Sequence, residues 1–218
     1  MSDEPAAKRS KDEEEAHEDL FALLDSAQIE FDALNEKASE EILEVEKRFN
    51  VLRKPVLDKR RELTQRVKSF WPTALMNHPQ LSTFIADAEE PLIGAIADIT
   101  VEDFADIKSG FIIRVAFLPN DYLESEFIEK QHFLGDNPHV TVSSVRWKRS
   151  VLDVVAQNKH PVSADQQTFF EWLTDAGTDP TIDEVGEIIK DDLWTNPVQY
   201  FLLPEVIDDE EEADIENQ

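Results

Sequence analysis

The residue types that could carry chemistry are few in this chain and poorly spaced for it. Five histidines, His17, His78, His132, His139 and His160, are scattered, and none forms the HxxxH or HExxH spacing that sets two ligands on one helix face. His132 falls on an expected strand, where a packed or surface imidazole is the ordinary role. There is no cysteine, hence no thiol nucleophile, disulfide framework or cysteine zinc site. Five glycines compose neither GxGxxG nor GxxxxGK, and no GxSxG occurs. Adjacent acids such as Asp191-Asp192 and Asp208-Asp209-Glu210 lack the glycine and the ligand spacing of an EF-hand. These absences predict a protein with no catalytic residue, no metal and no cofactor.

What the chain does have is charge. Forty-eight acidic residues against 21 basic ones give a net charge of −27. A field of that sign repels nucleic acid as a primary ligand and draws in basic partners. It is also unevenly spread: residues 150–206 hold eleven acids and only two bases, Lys159 and Lys190. The candidate binding residues are therefore Asp175, Asp179, Asp183, Glu184, Glu187, Asp191 and Asp192, with Asp208, Asp209 and Glu210 in the terminal run. Lying between apolar residues, those of the folded part are expected to be solvated. Seven acids and no base follow Ile207, so 207–218 is expected to be a disordered acidic tail.

The elements that must position these acids begin with a long helix. Leu20, Leu24, Ala27, Phe31, Leu34, Ala38, Ile42, Val45, Phe49, Leu52, Val56, Leu63 and Val67 form one apolar stripe. Its steps of three and four are those of a coiled-coil seam, with a stutter where two fours meet at Ala38. A helix of about 50 residues, roughly 75 Å long, exceeds what one small domain can cover. Acids dominate from Leu20 to Glu46 and bases from Lys47 to Lys68, so parallel copies would set like charge against like. The stripe thus predicts an antiparallel homodimer, with Lys59, Arg60 and Arg61 facing Glu30, Asp32 and Glu36 of a second copy. Pro55 should bend the helix without ending it, and Phe70-Trp71-Pro72 should end it.

The rest reads as α+β. Short helices are predicted between Thr73 and Ile99. Three β-rich segments follow, 99–107, 111–118 and 123–133, joined by turn residues, with a fourth at 140–147. Phe111–Leu118 is apolar on both faces and should be a central strand covered twice. Helices are predicted over 167–174, 182–194 and 198–202. The domain boundaries read as a disordered tail at 1–16, a long backbone dimerisation helix at 17–69, a folded α/β domain with an antiparallel sheet at 70–206, and the acidic tail at 207–218. No apolar run approaches 18 residues and the N-terminus has no apolar core, so neither a membrane span nor a signal peptide is expected. A nuclear, and also cytoplasmic, protein is expected, with Lys8, Arg9 and Lys11 a weak import signal.

Several blocks carry a resemblance. Leu34–Leu43, Phe70-Trp71, Asn77-His-Pro-Gln80, Phe104–Gly110, Phe170-Glu-Trp172, Glu187–Trp194 and Asn196–Tyr200 resemble the nucleosome assembly protein family, in particular its SET branch, also called template-activating factor I. The resemblance covers about 20–206. It implies a backbone helix forming an antiparallel dimer, topped by an α/β "earmuff" domain. It also implies a non-enzymatic histone chaperone that supports nucleosome assembly and chromatin remodelling and masks histones from acetylation. The partners implied are core histones, as the tetramer-forming or the dimer-forming pair, and a weak contact with DNA within chromatin. Protein phosphatase 2A, inhibited or scaffolded, is the alternative partner. Family members hold histones mainly on the earmuff underside, which transfers to Asp183, Glu184, Glu187, Asp191 and Asp192 here as candidates. Two departures stand out: the acidic tail is shorter than is usual on the SET branch, and 150–166 lacks a Lys/Arg cluster found in some relatives.

Overall fold

The computed structural model describes residues 4–148 and 167–203, with side chains described from His17 onward except at residue 18. The expected acidic tail with Asp208, Asp209 and Glu210 lies outside the described residues, as does the whole polar connection at 150–166. Contacts divide the chain into two compact units, Met1–Val56 and Leu57–Gln218.

Helix α1 runs Glu4–Thr64 and contains Pro55 in its interior. It therefore starts before residue 17 and stops short of 69. Its end is local: Arg66 N–H donates to the Leu63 carbonyl and Val67 N–H to that of Thr64, tightening the last turn. Ser69 then takes the left-handed conformation, at φ 53°, and starts a new helix, α2, Phe70–Asn77. Phe70-Trp71-Pro72 thus begins a helix instead of ending one. From Leu20 to Val56 every large seam side chain is exposed, Leu34 at 67% and Ile42 at 63% among them.

In the second unit, α3 (Glu90–Ile93) leads into four strands. These are β1 (Ile96–Asp103), β2 (Gly110–Phe117), β3 (Phe127–Phe133) and β4 (His139–Val142), an antiparallel meander in the order β1-β2-β3-β4. The third and fourth strands are shorter than the sequence suggests. Leu123 and Trp147, expected inside them, meet instead in an isolated bridge beyond the sheet. Three helices follow: α4 (Phe169–Thr174), α5 (Glu184–Ile188, extended by a π-helical turn through Leu193) and α6 (Pro197–Phe201).

Ile99, Val101, Ile113, Val115 and Ile128 on one face of the sheet join Phe70, Trp71 and Leu75 of α2, Phe169, Phe170, Trp172 and Leu173 of α4, and Val185 and Ile189 of α5 in one core. Burial along β2 alternates: Ile113 and Val115 are buried, Ile112 and Ala116 half-buried, Arg114 exposed. The central strand is therefore covered on one face among the described residues, because a strand shows alternate side chains to opposite sides. On the open face Arg114 lies 3.8 Å over the Phe127 ring and 3.4 Å from Glu129, and Arg61, Thr100, Glu102 and Ile112 line a cleft with Arg114 and Glu129.

Arg60 and Arg61, expected to face a second copy, are used inside their own unit. Arg61 donates to the buried Asp98, which also accepts from Trp71 Nε1–H at 3.1 Å. The Arg60 guanidinium sits 4.3 Å over Trp194, and burial lowers its pKa against the pull of Asp98.

Gly110 opens β2 at φ 138°, and a Cβ there would lie 1.8 Å from the His132 carbonyl oxygen and 2.9 Å from Phe104. Its bare backbone lets Phe104 reach across to Phe133, 5.0 Å away. Gly110→Ala should lower stability by about 3 kcal/mol or more, whereas Gly135→Ala, with nothing within 4 Å, should change it by less than about 0.5 kcal/mol. Chemical denaturation of the two variants checks this.

Candidate functional site

The acidic candidates lie on the helical layer that follows β4, and one buried carboxylate holds that layer to the sheet. Alternation along β3 puts Ile128, Lys130 and His132 on the covered face, all fully buried. His132 Nε2–H donates to Asp183 Oδ2 at 2.7 Å, and its Nδ1 is buried without a partner. Trp172 Nε1–H, from α4, donates to Asp183 Oδ1 at 2.7 Å. Gly186 N–H donates to the same oxygen at 3.0 Å, which makes Asp183 the N-cap of α5. Burial opposes ionisation of Asp183. The His132 and Gly186 hydrogen bonds and the neighbouring Lys130 charge outweigh it, so the pKa falls below the ordinary aspartate value.

Lys130 ties the same layer at a second point. Its ammonium donates to the carbonyls of Trp172 and Asp175 and to Thr178 Oγ1, and lies 4.5 Å from the Trp172 ring. Burial brings its pKa down to about 8, against the pull of Asp183 and Asp175. Glu89 is a third buried polar anchor, accepting from Thr168 Oγ1 at 2.6 Å and from Phe170 N–H at 3.1 Å. Burial raises its pKa, and these hydrogen bonds oppose the rise.

The structure sorts the sequence candidates into two sets. Asp183, expected to be solvated, is buried, because its carboxylate caps α5 and takes both ring N–H groups. Asp192 is half-occupied inside the unit. It accepts from Tyr200 O–H and from Gln199, and its other oxygen is 3.4 Å from the buried His78 Nε2. Burial, with the Asp192 hydrogen bond and charge, pushes the Tyr200 hydroxyl up to about 12, while burial lowers the His78 pKa against the pull of Asp192. Asp175 and Asp179 fold back on their own loops, onto Gly177 N–H and Thr181 N–H. Glu184, Glu187 and Asp191 face outward. Lys190, the one base among them, lies 3.2 Å from Asp191 and 5.1 Å from the Phe111 ring.

His132, expected as a packed or surface imidazole, is packed, whereas Lys130, Glu89 and Asp98 drew no notice in the sequence. The signal for Lys130 and His132 was present: a strand with Ile128 facing inward must bring both with it. Among the described residues no three potential metal-ligating side chains come together, and no helix is long and apolar enough to cross a membrane.

Comparison with known proteins identifies the fold. A family model described as Nucleosome assembly protein (NAP) matches residues 63–203. The chain belongs to the nucleosome assembly protein family. Within it the chain falls on the SET branch: it is 42% identical over 215 residues to Protein SET of Drosophila melanogaster, spanning 92% of this chain and 78% of that protein. It is 37% identical over 212 residues to Protein SETSIP of Homo sapiens, spanning 93% and 71%. The crystal structure of nucleosome assembly protein S from Plasmodium falciparum superposes with a TM-score of 0.65 at 24% identity, over 82% of this chain and 98% of that one, which bears on the fold alone.

Asp183→Asn should destabilise the second unit by about 3 kcal/mol, since it strips the charge from a buried, hydrogen-bonded pair. Glu187→Gln, on the surface, should stay within about 0.5 kcal/mol. A lowered folded pKa means that the Asp183 contribution is present above the unfolded value of 3.8 and is lost as pH falls through the folded one. The difference between wild type and Asp183→Asn should therefore shrink in thermal melts taken below pH 3.8.

Proposed function

We propose that this protein is a non-enzymatic histone chaperone that binds core histones through the folded acidic layer of its second unit. The observation that carries the reading is the outward set Glu184, Glu187 and Asp191 on an element anchored by buried bonds, with Lys190 the one base within 184–193. Family membership supports the same reading. A rigidly presented acidic surface attracts a strongly basic protein over distance and screens it from non-specific collapse onto DNA. Release follows when DNA, with its denser charge, competes. The exposed seam of α1 supports an antiparallel homodimer, which brings the net charge of the assembly to about −54, twice −27. Likeness to the SET branch extends the proposal to masking of histones from acetylation, to protein phosphatase 2A as a further partner, and to residence in nucleus and cytoplasm.

Binding of both core-histone pairs across a salt series tests this. Changing Glu184 and Glu187 to Gln and Asp191 to Asn should leave the thermal midpoint in place, weaken histone binding by about tenfold at low salt, and flatten the salt slope. Unchanged affinity and slope would place the contact elsewhere.

A further inference from the structure

The seam of α1 is a palindrome. Below Ala38 its steps run 4, 3, 4, 3, 4 to Leu20, and above Ala38 they run 4, 3, 4, 3, 4 to Val56. We propose that two copies of α1 pair in one register whose two-fold axis passes through Ala38. This rests on the antiparallel homodimer proposed above and specifies which residues meet. Ala38 faces its own copy, Leu34 faces Ile42, Phe31 faces Val45, Ala27 faces Phe49, Leu24 faces Leu52, and Leu20 faces Val56. All of these side chains are exposed in the single chain. Large residues meet small ones in the Ala27–Phe49 layers, and the two small Ala38 side chains let the backbones approach at the axis.

An uninterrupted heptad seam would allow equivalent registers one heptad apart. The stutter removes that degeneracy, because it is the one place in this seam where the same step occurs on both sides of a residue. A slip of one heptad sets Leu34 against Asn35 in one direction and Ile42 against Glu41 in the other.

The flanking charges agree. At 100° per residue, Glu30, Lys37, Glu41 and Arg48 share one flank of the seam, and all four are exposed. A two-fold axis across an antiparallel pair brings that flank against its own copy. Glu30 then meets Arg48 and Lys37 meets Glu41, each twice by symmetry. A parallel pair would set Glu41 beside Glu46 and Arg48 beside Arg53, like against like. The palindrome ends at Val56, where the first compact unit also ends. Leu63 and Val67, the continuation of the stripe, have no apolar counterpart at the matching spacing before Ala38, where the sequence has Glu13 and Arg9, and so fall outside this palindrome. Arg60 and Arg61 are correspondingly free to serve Trp194 and Asp98 of their own chain.

The natural absence of cysteine makes thiol cross-linking a clean test on the full chain. Ala38→Cys should become a covalent dimer on mild oxidation or with a short bis-maleimide. Leu24→Cys alone should not, but Leu24→Cys refolded together with Leu52→Cys should. Lys37→Glu should weaken the dimer about tenfold in sedimentation, and Lys37→Glu with Glu41→Lys should restore it. Self-cross-linking of Leu24→Cys would overturn the proposal in favour of parallel helices. A stable dimer with no cross-link at Ala38→Cys and none between Leu24→Cys and Leu52→Cys would overturn the register and leave the dimer standing. A chain that sediments as a monomer would overturn both and assign the seam to a different protein.

Discussion

The helical layer of this protein hangs on the Asp183 carboxylate. Its two oxygens take a histidine from β3, an indole from α4 and the Gly186 amide in the first turn of α5, so one buried charge joins three elements that lie up to 51 residues apart in the chain. A buried carboxylate is costly unless both its oxygens accept hydrogen bonds and a countercharge is near. Here both conditions hold, with Lys130 supplying the neighbouring charge while itself binding two carbonyls. The consequence is positional: the exposed acids of α5 are carried on a backbone whose start is pinned to the sheet.

A strongly acidic chain pays for its field in self-repulsion. This one confines the cost by separating inward from outward acids. Glu89, Asp98 and Asp183 are buried and serve as acceptors for named donors. Glu184, Glu187 and Asp191 remain in water, where repulsion is screened and the charge is available to a basic partner. In α1 the arrangement is the reverse, with apolar side chains outward and uncovered among the described residues, which is the pattern of an element completed by association.

Much of this architecture was legible from residue patterns, because period and charge are local properties. The three-and-four spacing identified α1, β-rich segments joined by turn residues identified a four-stranded antiparallel meander, and clustered apolar residues located the later helices. What was illegible depended on long-range packing. Asp183 reads like any acid in an acidic run, yet its place just before Glu184 makes it a cap, and only the fold brings His132 and Trp172 to it. Arg60 and Arg61 continue the basic half of the helix, but their partners Trp194 and Asp98 lie far along the chain. The end of α1 at Thr64 was hidden because Val67 extends the apolar spacing past that point, up to the turn that Ser69 makes. The apolar run Phe111–Leu118 hid a half-open face, since Ile112 and Ala116 are only partly covered.

The central claim is that the folded acidic layer, held by Asp183, is what a histone pair touches. Hydrogen exchange of the full-length protein, with and without a stoichiometric histone pair at moderate salt, reads this directly. New protection is expected over Glu184–Leu193, with α2 and the covered strands unchanged. Protection confined to other segments, with Glu184–Leu193 exchanging as in the free protein, would contradict it.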